Sequence, residues 1–71
     1  MVNREKLKGK IVENGLTQEQ LAGTLGMAVA TLNYKVNNKS EFKASEIKKL
    51  AEILYLTNEE VSNIFFAKDV D

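Results

Sequence analysis

The sequence predicts an all-α fold, a compact bundle of about five short helices, with residues 1–71 forming one domain. Three observations predict it. Apolar residues recur three and four apart, and no segment alternates strictly over the length of a strand. Residues that cap helix starts stand before most of the apolar stripes, and glycine or asparagine stands after several of them. A chain of 71 residues, 44% of them hydrophobic, can fill one core but not two.

The first helix is expected from about Asn3 to Asn14. Asn3 can accept from a free first-turn amide, Leu7 and Ile11 share a face, and Gly15 is a stop. Gly9, inside this helix, weakens it by ~1 kcal/mol relative to alanine, and close packing against a neighbouring helix is the ordinary reason for such a residue. The second helix opens at Thr17, where Thr17-Gln18-Glu19-Gln20 is a capping box. Leu21 and Leu25 form its buried stripe with Ala22 beside it, and Gly26 ends it. The third helix spans about Ala28 to Val36, with Leu32 and Val36 inward and Asn37-Asn38 at its end. The loop from Asn37 to Ala44 is polar except for Phe42, which should plug into the core. The fourth helix is expected from Ser45, carrying Ile47, Leu50, Ala51 and Leu54 on its core face. Thr57-Asn58-Glu59-Glu60 is a second capping box, opening a short fifth helix with Val61, Ile64 and Phe65. A short tail, 66–71, follows.

Composition removes several classes of function. There is no cysteine and no histidine, so disulfides, most zinc sites and histidine acid–base chemistry are excluded, and no metal or cofactor is expected. The carboxylates are dispersed on solvated helix faces and no glycine-rich phosphate loop occurs, so an enzyme is not expected. No apolar run approaches the ~18 residues of a membrane helix. The opening Met1-Val2-Asn3-Arg4-Glu5-Lys6 leads into an amphipathic segment, and the expected location is the cytoplasm. Net charge is zero, but its distribution is uneven. Residues 1–50 hold nine basic groups (Arg4, Lys6, Lys8, Lys10, Lys35, Lys39, Lys43, Lys48, Lys49) against five acidic ones (Glu5, Glu13, Glu19, Glu41, Glu46). Residues 51–71 hold Lys68 against Glu52, Glu59, Glu60, Asp69 and Asp71. One end facing a polyanion explains that asymmetry; uneven scatter over a small surface explains it equally.

The stretch from Thr17 to Lys39 is the informative one. Two short helices joined by a tight turn at Gly26 form a helix-turn-helix at about 17–37. Ala22 is small where the two helices would crowd, and Leu25, Met27 and Leu32 seal the junction. This arrangement props one helix outward on a rigid base, and a DNA major groove ~12 Å wide admits a helix.

Thr17-Gln18-Glu19-Gln20-Leu21-Ala22, then Leu25-Gly26-Met27, then Thr31-Leu32 and Asn37, resembles the helix-turn-helix of the Cro/CI-type, lambda-repressor-like (XRE) family. The longer run from Thr31 to Asn37, followed by Phe42, Glu46-Ile47 and Ile64-Phe65-Phe66, is similar to short phage and prophage regulators of that family. The resemblance implies a transcriptional regulator, repressor-like, that binds double-stranded DNA in a sequence-specific way with helix 28–36 in the major groove. It implies base reading by Val29, Ala30, Asn33 and Tyr34: asparagine on an adenine edge, valine or alanine on a thymine methyl, tyrosine on a base or a phosphate. It implies phosphate contacts from Gln18, Thr31, Asn37, Asn38, Lys39 and Ser40, with charge added by Lys35 and Lys43. The Thr31 hydroxyl has an alternative, a bond back to its own helix, and exposed residues of no consequence are the plain alternative for the rest. Three positions depart from the family's pattern: Ala28 replaces a capping serine or threonine, Val29 a long polar residue, and Asn38 a glycine.

A homodimer on DNA is expected, because two copies read two half-sites and a small core gains from pairing. Phe65 and Phe66 are adjacent and cannot both point into one small core, so Phe65 is expected inside and Phe66 at a dimer contact. The alternative is a tail that satisfies both within the monomer. A second functional reading is a protein-interaction adaptor that uses the same scaffold to modulate a partner regulator protein. Zero net charge and the small apolar run Ala28-Val29-Ala30 favour it.

Overall fold

Side-chain caps open three of the helices. In the computed structural model, which describes residues 1–66, the chain forms α1 (Arg4–Glu13), α2 (Gln18–Leu25), α3 (Val29–Val36), α4 (Ala44–Ile53) and α5 (Asn58–Phe65), with no strand among the described residues. The Asn3 side chain accepts from the Lys6 amide at 3.1 Å, as the first-turn donors of α1 require. Thr17 and Gln20 form a full capping box at α2, with bonds of 3.1 and 2.9 Å. Thr57 and Glu60 form another at α5, again at 3.1 and 2.9 Å. The predicted tail, 66–71, lies outside the described residues beyond Phe66.

The fourth helix starts one residue earlier than the expected Ser45. Its cap is Lys43, which has no side-chain acceptor; instead the Lys43 amide donates to Glu46 Oε1 at 2.8 Å. A glutamate in the first turn thus satisfies the amide of the cap residue itself, one half of a capping box. α3 starts at Val29 with no side-chain cap at Ala28, as that alanine implies.

Four helices end in the same way. The amides of Leu16, Met27, Lys39 and Leu56 donate to the carbonyls of Ile11, Ala22, Tyr34 and Ala51 at 2.8–3.0 Å. This closure needs a left-handed residue just before each donor. Gly15 (φ 69°), Gly26 (71°), Asn38 (62°) and Tyr55 (55°) occupy those places. Glycine and asparagine take this conformation readily; tyrosine does not.

Each helix gives the core at least one side chain: Leu7 and Ile11, then Leu21, Ala22 and Leu25, then Leu32 and Val36, then Leu50, then Ile64 and Phe65, with Leu54 from the end of α4. α3 packs chiefly on α2, and α1 and α4 both pack on α5. Phe42 reaches back as expected, half-buried, its ring edge-on to Phe65 with centroids 5.5 Å apart. Ile47 and Ala51 are only half-buried, so the core face of α4 is narrower than its periodicity suggests. The expectation for Gly9 is overturned. A side chain built there would meet no atom within 4 Å, and the residue is exposed. No neighbouring helix demands a glycine at this position.

Candidate functional site

The turn between α2 and α3 sets the site. Gly26 reverses the chain in the left-handed conformation, and Ala22, 2% exposed, lets α3 approach α2 closely. Leu25 and Leu32 are buried at the junction and Met27 is half-buried against them. A short helix with one face so fixed presents its opposite face in a defined orientation.

Leu32, Lys35 and Val36 form the buried face of α3. Val29, Ala30, Thr31 and Tyr34 are exposed, Tyr34 by 61%, and Asn33 is half-buried. At 100° per residue, positions 29, 30, 33 and 34 fall on one side of the helix. The four residues expected to read bases therefore do share one face, with Val29, Ala30 and Tyr34 exposed and Asn33 half-buried. The Thr31 hydroxyl makes no bond back to its helix, whereas Thr24 does, to the Gln20 carbonyl at 3.1 Å. Gln18 is half-buried at the start of α2, and Lys39 and Ser40 are exposed in the loop after α3.

Asn37 and Asn38 are held within the protein. Asn37 Nδ2 donates to the Asn33 carbonyl at 2.9 Å, and its Oδ1 accepts from Arg4 Nη1 at 3.2 Å. Asn38 Oδ1 accepts from the Val2 amide at 2.7 Å, and its Nδ2 donates to the Val2 carbonyl at 3.1 Å. The amides of residues 37, 38 and 39 all close the end of α3. These bonds draw the first residues of the chain, and the Arg4 guanidinium, to the end of α3. Sequence reasoning missed this arm, because its partners lie more than 30 positions apart.

The expectation that Lys35 offers charge to a phosphate is corrected. Lys35 is 8% exposed, its Nζ is 2.6 Å from Glu46 Oε1, and it stands 6.0 Å from the centre of the Phe42 ring. Burial pushes the Glu46 carboxyl up, but the Lys35 ammonium and the Lys43 amide outweigh it and hold the pKa below its ordinary value. A signal was present in the sequence: Lys35 sits between the core positions Leu32 and Val36, where a charge needs a partner.

Phe65 is 4% exposed and Phe66 is 60% exposed, the split expected of neighbours on a helix. A cleft of about 460 Å³ opens beside Phe66, lined also by Val2, Asn38, Phe42, Ile47 and Phe65. Among the described residues no helix is long and apolar enough to cross a membrane.

The chain belongs to the family described as protein of unknown function (DUF739), whose model matches residues 2–68. No curated protein matches the chain. That description names no activity, so a functional reading has to come from the geometry.

Proposed function

We propose that the protein binds double-stranded DNA by seating α3 in the major groove, as a transcriptional regulator of the Cro/CI type. The observation that carries this reading is the solvent-facing side of α3, with Val29, Ala30 and Tyr34 exposed and Asn33 half-buried among them, on a helix whose other face is buried against the core. Asn33 would read an adenine edge, and Val29 and Ala30 a thymine methyl. Gln18, Thr31, Lys39 and Ser40 would meet phosphates, with Arg4 adding charge beside them. Asn37 and Asn38 would serve by holding the loop and the arm in register. Phe66, exposed on the side of the molecule that holds α5, would contact a second copy on an adjacent half-site.

Selection of bound duplexes from a random pool tests this reading. An enriched inverted repeat supports it and the dimer together. Asn33→Ala should then weaken binding to the enriched site by ~1–3 kcal/mol and leave binding to random duplex nearly unchanged. Lys39→Ala should weaken both and flatten the salt dependence. Equal losses for Asn33→Ala on both duplexes would refute base reading by that residue.

The adaptor reading is favoured by one observation: Ala28 and Ala30 are exposed, and Val29 is 37% exposed, in a small uncharged patch at the start of α3. A salt titration separates the two. Binding to DNA weakens steeply as salt rises, because counterions are released. An apolar protein contact does not. No enrichment from the random pool, with salt-insensitive capture of a protein partner, would establish the adaptor instead.

A further inference from the structure

We propose that Glu46 is a positioning residue for α3: through Lys35 it fixes the angle at which the exposed face of that helix is presented. The proposal rests on the reading of α3 as the DNA-facing helix. Glu46 Oε1 accepts from two sources at once, Lys35 Nζ at 2.6 Å and the Lys43 amide at 2.8 Å. One oxygen thereby ties α3 to the cap of α4. The Lys35 ammonium also stands 6.0 Å from the Phe42 ring, and that ring packs edge-on against Phe65 of α5. The pair is well enclosed, with side chains 10% and 17% exposed.

α3 needs such a tie more than its neighbours do. It has eight residues and no side-chain cap, and helices so short are unstable alone. It packs chiefly on α2. Among the described residues, Lys35–Glu46 is the only salt bridge that α3 makes. An enclosed ion pair contributes little net stability against an apolar replacement. Its geometric effect is larger: two charged groups joined at hydrogen-bond distance allow few orientations. Base edges are read only when the reading side chains are held within ~0.5 Å of the productive geometry.

Three proteins decide the matter: Glu46→Gln, Lys35→Met, and the double variant. Glutamine keeps an oxygen for the Lys43 amide and removes the charge. Methionine keeps an unbranched side chain of similar length and removes the charge. All are compared at a temperature where circular dichroism shows each fully folded. The first readout is amide hydrogen exchange of Asn33 to Val36 in the free protein, relative to Leu7 to Ile11 in α1. The second is the ratio of affinities for an enriched duplex and a random one, which removes the effect of the altered net charge. Glu46→Gln should speed α3 exchange by about 10-fold more than α1 exchange. It should lower the affinity ratio by about 10-fold. The double variant leaves no charge unpaired but also has no tie. It should regain stability while keeping the fast α3 exchange and the lowered affinity ratio. A return of both to the parent's values would overturn the proposal, showing that only the unpaired charge mattered. Exchange that rises equally in α1 and α3 would overturn the proposal, showing a global stabiliser only. So would a loosened α3 with an unchanged affinity ratio. A parent protein that enriches no duplex sinks the DNA reading, while the exchange comparison still decides whether Glu46 holds α3.

Discussion

Replacing Asn38 tests the join between the N-terminal arm and the end of α3. Asn38 has two separable duties: its backbone is left-handed at φ 62°, and its side chain bridges the amide and carbonyl of Val2 at 2.7 and 3.1 Å. A hydrogen bond contributes ~0.5–1.5 kcal/mol net, and both of these lie at the surface, so ~0.5 kcal/mol each is the fitting value. Asn38→Gly loses ~1 kcal/mol of bridging. The ease of glycine at positive φ roughly offsets its extra unfolded-state entropy, each being ~0.5 kcal/mol. Asn38→Ala loses the same bridge and adds ~1–2 kcal/mol for a left-handed β-carbon. The expected order is parent, then glycine ~1 kcal/mol lower, then alanine ~2–3 kcal/mol lower. Urea unfolding followed by circular dichroism reads this directly. With a slope of ~1 kcal/mol/M, midpoints should fall by ~1 M and ~2–3 M. A glycine variant that unfolds at the parent's midpoint would show that the Val2 bridge contributes nothing. An alanine variant equal to the glycine one would show that position 38 is not left-handed in solution.

Gly9→Ala should raise stability by ~1 kcal/mol, because the helix interior prefers alanine and no atom lies within 4 Å of the new methyl; a lowered thermal midpoint would mean that something does approach this face. Tyr55→Gly should stabilise by ~0.5–1 kcal/mol, since the ring is 84% exposed and the backbone is left-handed at φ 55°; a loss in the same melt would reveal a contribution from the ring. Acid should weaken the fold through Glu46 and Glu60, whose carboxyls are both held below the ordinary value of 4.5. A lowered pKa adds stability that is present above pH 4.5 and fades as pH falls through the lower folded value. For Glu46 the groups responsible are the Lys35 ammonium and the Lys43 amide, with the Lys43 charge beside them; for Glu60 they are the Lys10 ammonium and the Thr57 amide. Urea midpoints of the parent and Glu46→Gln should therefore converge as pH drops below 4.5, and a constant gap down to strong acid would contradict this.

Local chemistry was legible from the sequence. Thr17 with Gln20, and Thr57 with Glu60, need only residues three apart, and both boxes form as read. The stripes of Leu7 with Ile11 and Leu32 with Val36 follow from the pitch of one helix, as does the shared outer face of Val29, Ala30, Asn33 and Tyr34. The exposure of Phe66 beside a buried Phe65 needs only the same geometry.

Partner choice was not legible. Lys35 was read as a free charge because Glu46 lies 11 positions away across a loop. Nothing local says that this loop folds Phe42 over the lysine and delivers the carboxylate to it. Asn38 was read as a helix stop and a phosphate contact, and the stop is what its backbone makes; its bridge to Val2 spans 36 positions. Gly9 looked like a packing glycine, and only the packed fold shows that no atom lies within 4 Å of a side chain built there. Helix starts, stops and faces arise from interactions within one turn, and these are written in neighbouring letters. Which charge meets which, and which surface stays uncovered, depends on how five rigid pieces share one small core, and that is settled only when they pack together.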